Sequence, residues 1–199
     1  MSYHHYESDC FILDTYESGE ASNLYTLLTE DFGLLYARAQ GVRLSKSKLR
    51  FSLQSFSRAR VALVKGKVEW RLVGAQEPTH FWKKERLGAS ALTLLGRIFK
   101  LIRRLVHGEE KNKQLFAIIG DLTMYLEKER RALSIEEFVR LEIVIVARVL
   151  TALGYFTKKE LYKKSLEEGD LALAVSTLSG ESEKALLRDI NEALKETQL

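Results

Sequence analysis

Cysteine, proline and long apolar runs are nearly absent from this chain, and each absence removes a class of protein. One cysteine, Cys10, in 199 residues leaves no intramolecular disulfide and no thiolate zinc site, and it fits a reducing, cytoplasmic setting. One proline and twelve glycines exclude low-complexity and disordered sequence. The most apolar run, residues 141–153, is too short to span a bilayer and is interrupted by Arg148, with Glu142 at its edge. It reads as a buried core helix. The first residues, MSYHHYESD, carry neither the basic nor the apolar region of a signal peptide.

Catalytic patterns are missing as well. No glycine-rich phosphate loop and no G-x-S-x-G elbow is present, and Cys10 has no obvious histidine partner. His4, His5, His80 and His107 stand at neither ligand nor triad spacing. Paired acids such as Glu136 and Glu137 are explained by a helix N-terminus, whose unpaired amides favour negative charge. The expectation is a protein that is not an enzyme and that carries no metal and no cofactor.

The periodicity changes along the chain. Up to about Gln76 it is that of strands: residues 9–16, 23–30, 34–42, 56–64 and 68–73 read as five short runs. Ser18-Gly19-Glu20, Asp31-Phe32-Gly33 and Lys65-Gly66-Lys67 supply tight turns. Five strands with one longer connection after the third suggest an OB-type β-barrel. From Glu85 the apolar spacing is helical, with helices over 85–107, 112–133 and 134–153, a short one opened by a Thr157–Glu160 capping box, and a last one capped by Ser182. Gly154 reads as a helix stop. The fold class is α+β: a barrel domain over 1–78 and an all-α domain over 79–199, divided near Pro78.

Charge is segregated. Residues 1–31 hold seven acids and no Lys or Arg; residues 32–68 hold nine bases and no acid. Phosphate backbones reward clustered cations through counterion release. In the third strand Tyr36, Arg38 and Gln40 share one side and Leu35, Ala37 and Ala39 the other. Arg58 and Arg60 share one side of the fourth strand. The connection 43–50, with Arg43, Lys46, Lys48 and Arg50, suits a flexible phosphate-gripping loop. The expected contacts are therefore Arg38, Arg43, Lys46, Lys48, Arg50, Arg58 and Arg60, with Tyr36 as a base-stacking platform. The competing reading is that the acidic first strands pair with these basic strands in cross-strand salt bridges. A second basic cluster runs over 83–104, where Arg97, Lys100 and Arg104 fall on one helix face. RNA binding by an OB module, or a purely protein-binding adaptor, remain alternatives on these residues.

Several short motifs carry a family resemblance: Tyr16-Glu17-Ser18-Gly19-Glu20, Leu27-Leu28-Thr29-Glu30-Asp31-Phe32-Gly33, Ala39-Gln40-Gly41-Val42-Arg43, Ser47-Lys48-Leu49-Arg50 and Leu53-Gln54-Ser55-Phe56. In their order and spacing they resemble the N-terminal domain of the bacterial RecO recombination-mediator family. Phe138 to Glu142 and Leu150 to Tyr155 resemble its central helix, which ends in Leu-Gly-Tyr. The resemblance implies an OB fold followed by a helical domain, and binding of single- and double-stranded DNA. It also implies annealing of complementary strands and cooperation with RecR in loading RecA onto DNA coated by single-strand-binding protein, whose C-terminal tail the helical domain engages. It implies a nucleoid-associated, cytoplasmic bacterial protein. Many relatives carry a four-cysteine zinc element after the Leu-Gly-Tyr helix; Phe156-Thr157-Lys158-Lys159-Glu160 stands here instead.

Overall fold

A computed structural model describes residues 4–81, 83, 87–128, 133–157 and 159–197. Five strands come first: β1 (His5–Ser18), β2 (Ser22–Thr29), β3 (Gly33–Ala39), β4 (Ser57–Lys65) and β5 (Trp70–His80), with a short helix α1 (Leu49–Ser52) between β3 and β4. They close into a barrel in the order β1-β2-β3-β5-β4. All pairings are antiparallel except β3 with β5. The OB-type barrel expected from the spacing is thus the fold observed, although β5 runs on to His80 instead of ending near Val73.

Strand parity builds the core. Leu35, Ala37 and Ala39 of β3 point inward with Tyr25, Leu27, Ala59, Val61, Leu63 and Leu72, while Tyr36 stands outside, 52% exposed. Period-2 alternation puts these sets on opposite faces. Mid-β1 departs from simple alternation. Cys10 and Ile12 enter the barrel core, yet Phe11 on the outer face is equally buried, against Phe81 and Phe116. A bulge between Ile12 and Asp14 then shifts the register. Two turn glycines carry the positive φ that β-carbon-bearing residues avoid, Gly19 at +71° and Gly33 at +67°.

Helices follow: α2 (Ala89–Leu105), α3 (Lys113–Lys128), α4 (Ile135–Ala152), α5 (Glu160–Glu167), α6 (Leu171–Thr177) and α7 (Gly180–Glu196). The chain forms two compact units, 1–116 and 117–199. The first therefore takes in α2, whose buried face (Leu94, Leu95, Ile98, Phe99 and Ile102) is apolar and which packs against β1. Glu85 and Arg86, where the sequence pattern starts this helix, lie outside the described residues, as does Lys84 of the basic cluster. So do 129–132, at the end of the helix expected over 112–133. Among the described residues no helix is long and apolar enough to cross a membrane.

In the second unit α4 packs against α5, α6 and α7. Its burial on several sides (Leu141, Val144, Ile145, Ala147, Leu150) explains the unbroken apolar pattern. The Ser134–Glu137 capping box forms as read. At the other end Gly154, φ +79°, gives a Schellman close: the Tyr155 amide donates to Leu150 and the Gly154 amide to Thr151. Two cap expectations are corrected. No box forms at Thr157; Lys159 takes the N-cap position of α5 without a side-chain cap. Ser179, and not Ser182, sits at the N-cap of α7, and Ser182 Oγ accepts from its amide at 3.3 Å.

α5 is tied down by polar contacts. Arg148, half-buried, donates to the carbonyls of Ser165 and Glu168. Asp189, 6% exposed, accepts from the Tyr162 hydroxyl at 2.8 Å and from Lys159 Nζ at 2.7 Å. Burial alone would raise the Asp189 pKa, but the hydrogen bonds from Lys159 and Tyr162 outweigh it and hold it below the ordinary carboxylate range. Burial and the adjacent Asp189 push the Tyr162 phenol from 10.0 up to about 12. A raised folded-state pKa contributes stability that is complete below the unfolded value and lost as pH climbs to the folded one. Tyr162→Phe is therefore expected to cost about 1.5–3 kcal/mol at neutral pH, the range for a hydrogen bond to a charged group. It should also remove the part of the alkaline destabilisation that the parent shows between pH 10.0 and about 12. Thermal unfolding of both proteins across that range, followed by circular dichroism, checks this.

Candidate nucleic-acid interface

The barrel segregates its charges by register. β1 lies antiparallel to β4, with Asp9 opposite Arg60 and Phe11 opposite Arg58. The acids of the first strand therefore meet the bases of the fourth: Arg58 binds Asp9 at 2.9 Å and Arg60 binds Glu7 at 3.3 Å. The Arg58 guanidinium also lies 5.8 Å from the Phe11 ring centroid and 5.9 Å from that of Phe116. This makes it a packing residue of the outer face as well as a cation. The cross-strand pairing of acidic and basic strands that the charge pattern also allows is realised here.

Arg38 bridges two turns. Its Nε sits 3.0 Å from both carboxylate oxygens of Glu69 in the β4–β5 turn, and its Nη1 donates to Ser18 Oγ at 2.6 Å beside the β1–β2 turn. Arg43 binds Glu17 at 3.0 Å and donates to the Gly19 carbonyl at 3.2 Å. These pairs are substantially exposed, with side-chain accessibilities of 39% and 39% for the first and 36% and 75% for the second. Such pairs contribute about 0–1 kcal/mol and are screened by salt.

The connection from β3 to β4, which contains α1, differs. Lys46, Lys48 and Arg50 are exposed and have no acid partner among the described residues. Nor is this segment the loose loop its composition suggests. Val42 and Leu53, both in the barrel core, anchor its two ends. Between them the Arg43 amide donates to Ala21, Leu44 to Gly41 and Ser47 to Leu44, at 2.9, 3.1 and 3.0 Å. The same connection carries two exposed apolar side chains absent from the sequence-based set, Leu44 at 58% and Phe51 at 69%. Phe51 directly follows Arg50, and an aromatic among bases was the signal available for it. Tyr36 is exposed on the neighbouring strand.

On α2, Arg97, Lys100 and Arg104 share the exposed face as the i, i+3, i+7 spacing predicts. Lys100 and Arg104 lack an acid partner among the described residues; Arg97 is engaged in an interaction of its own. Arg103, which the spacing left off that face, turns to β1, bonding Asp14 and the Tyr16 hydroxyl.

Cys10 is fully buried and burial pushes its thiol up to about 12, which keeps it protonated and unreactive. Among the described residues no group of three His, Cys, Asp or Glu side chains is gathered to hold a metal.

Residues 1–71 match the family model described as "Recombination protein O N terminal". The chain is 34% identical over 116 residues to the DNA repair protein RecO of Myxococcus xanthus (strain DK1622), across 57% of this chain and 47% of that protein. It is 24% identical over 149 residues to the RecO of Alkaliphilus metalliredigens (strain QYMF), across 75% and 57%. For the RecO of Thermodesulfovibrio yellowstonii the identity is 22% over 151 residues, across 76% and 58%. The chain spans about half the length of the curated relatives it matches. The family-matched segment ends just inside β5, so it contains β1 to β4, the β3–β4 connection and every cation of the barrel set. The resemblance read from the short motifs is borne out: this chain is similar to the RecO DNA repair proteins, and its barrel carries the likeness most strongly.

Proposed function

We propose that this chain is a DNA-binding protein of repair and recombination that holds strands by their phosphates and performs no bond chemistry. Lys46, Lys48 and Arg50 are the primary phosphate contacts, with Tyr36 and Phe51 stacking bases beside them. Arg38 and Arg43 join when a phosphate displaces their exposed carboxylate partners. Arg58 and Arg60, already engaged with β1, contribute mainly to the positive field, and Arg97, Lys100 and Arg104 offer a second, weaker basic face. The observation that carries this reading is the set of exposed, acid-free cations interleaved with exposed apolar side chains on one well-defined connection. Cations give affinity through counterion release and aromatic faces give sequence-tolerant stacking.

The mechanism follows from electrostatics. Neutralising phosphates on two single strands removes their mutual repulsion, so complementary bases pair faster. In the wider process the chain cooperates with RecR, engages the C-terminal tail of single-strand-binding protein and helps RecA load, in the bacterial cytoplasm at the nucleoid. Double-stranded DNA is held by the same phosphate contacts.

Annealing of two complementary oligonucleotides, one carrying a fluorophore and one a quencher, tests the reading. The expected result is acceleration at about 50 mM salt that fades by about 0.5 M, as counterion release requires. An annealing rate equal to that without protein throughout the series, with the protein folded, would overturn it.

A further inference from the structure

The connection between α2 and α3, residues 106–112, lies against the strands of its own unit. Its Glu110 backbone rests on Gly33, where an added β-carbon would overlap the Glu110 carbonyl. Lys111 Nζ binds Asp31 at 2.6 Å. Glu109, beside them, places one carboxylate oxygen 2.9 Å from Lys65 Nζ and the other 2.7 Å from Trp70 Nε1.

Those two donors form a built site. Trp70 is 4% exposed and packs edge-on to Tyr6 and at a tilt to Phe32, each with ring centroids 5.5 Å away, so the direction of its N–H is fixed. The Lys65 ammonium sits 5.0 Å from the centroid of the same indole. An indole N–H and an ammonium can only donate, so together they call for an anion that accepts twice. Two more cations stand close in sequence, Lys67 in the β4–β5 turn and Arg71 next to Trp70. Both are exposed and without an acid partner among the described residues. The hydrogen bond from Lys65 keeps the Glu109 carboxyl below its usual range, so at neutral pH the occupant is a full anion.

We propose that Lys65 and Trp70 form a phosphate subsite for a nucleic-acid backbone, and that Glu109 fills it as an internal competitor until a strand displaces it. The identity of the natural ligand rests on the DNA-binding reading above; the anion site does not. Displacement is feasible because Lys65 and Glu109 are 56% and 45% exposed, so their pair is weak and screened. The site lies where β5 pairs with β3, Trp70 beside Ala37, so a strand already held on the same barrel presents further phosphates at raised effective concentration.

The test uses Trp70 emission in a Trp82→Phe chain, which leaves one tryptophan. A thymidine oligonucleotide and inorganic tripolyphosphate are titrated separately, with fluorescence anisotropy of a labelled oligonucleotide reporting binding independently. Both ligands are expected to change the Trp70 emission. Glu109→Gln, which keeps an acceptor for the indole but loses the charge, should reach half-saturation at up to about fivefold lower ligand concentration, the fold-change of one surface ion pair. Lys65→Met supplies the converse variant and should abolish the tripolyphosphate response. Thermal unfolding verifies that each variant is folded. If the oligonucleotide binds by anisotropy while Trp70 emission and both variants' affinities stay at parental values, the subsite is overturned and the DNA reading stands. If tripolyphosphate gives the expected response and the oligonucleotide does not bind, the subsite stands and the DNA reading falls. Silence from both ligands overturns both.

Discussion

Replacing Lys46, Lys48 and Arg50 together by glutamate is expected to lower affinity for single-stranded DNA by about two to three decades at about 50 mM salt. Thermal stability should stay within about 0.5 kcal/mol of the parent, as for surface substitutions away from structural contacts. Both halves of the expectation come from the same observation. The three side chains are exposed and bond no acid among the described residues, so reversing them breaks no ion pair of the fold. Single strands lose about 0.7 in the logarithmic salt slope for each phosphate contact removed, and the effect grows with distance from molar salt, where counterion release no longer favours binding. Arg58→Glu makes an instructive contrast. It removes the partner of Asp9 and the cation lying against Phe11 and Phe116, so its effect should fall on stability more than on the salt slope. Titration of a labelled oligonucleotide, alongside thermal melts, separates the two.

Stacking gives the second large effect. Tyr36→Ala and Phe51→Ala should each weaken single-strand binding by about 1–3 kcal/mol, roughly five- to over a hundredfold. The salt slope should be unchanged, because no phosphate contact is lost. Tyr36→Phe and Phe51→Trp keep a π-face and should bind within about twofold of the parent. Neither side chain is a core residue, at 52% and 69% exposure, so folding is not at stake. An alanine effect that appears as a changed slope instead would mean that the ring positions a neighbouring cation and does not itself hold a base.

Most of the barrel could be read along the chain because its signals are local. Alternation in β3 placed Tyr36 and Arg38 outside and Ala37 and Ala39 inside, and the glycines at 19 and 33 marked real turns with positive φ. The α4 helix was equally legible, from its Ser134 box to Gly154. What escaped was either too short or non-local. α1 and α6, of four and seven residues, are too brief to show a helical period, and α6 announces itself only through Asp170, which caps the Ala172 and Leu173 amides. Which acid meets which base depends on β1 lying beside β4 with residues some fifty positions apart, and no local pattern encodes that register. The Glu109 carboxylate on Lys65 and Trp70 is non-local in the same way. Phe51 differs: its signal is local, an aromatic directly beside Arg50 in a stretch of bases, but a charge pattern alone does not contain it.

In the proposed function a compact set of cations on this barrel, chiefly in the β3–β4 connection, holds single-stranded DNA by its phosphates. Affinity for a labelled thymidine oligonucleotide, measured from about 50 mM to about 0.5 M salt, tests it most directly. With about five phosphate contacts the logarithmic plot should fall with a slope of about −3.5, and the triple glutamate variant should give about −1.4. Identical slopes for the folded parent and the folded variant would contradict the account.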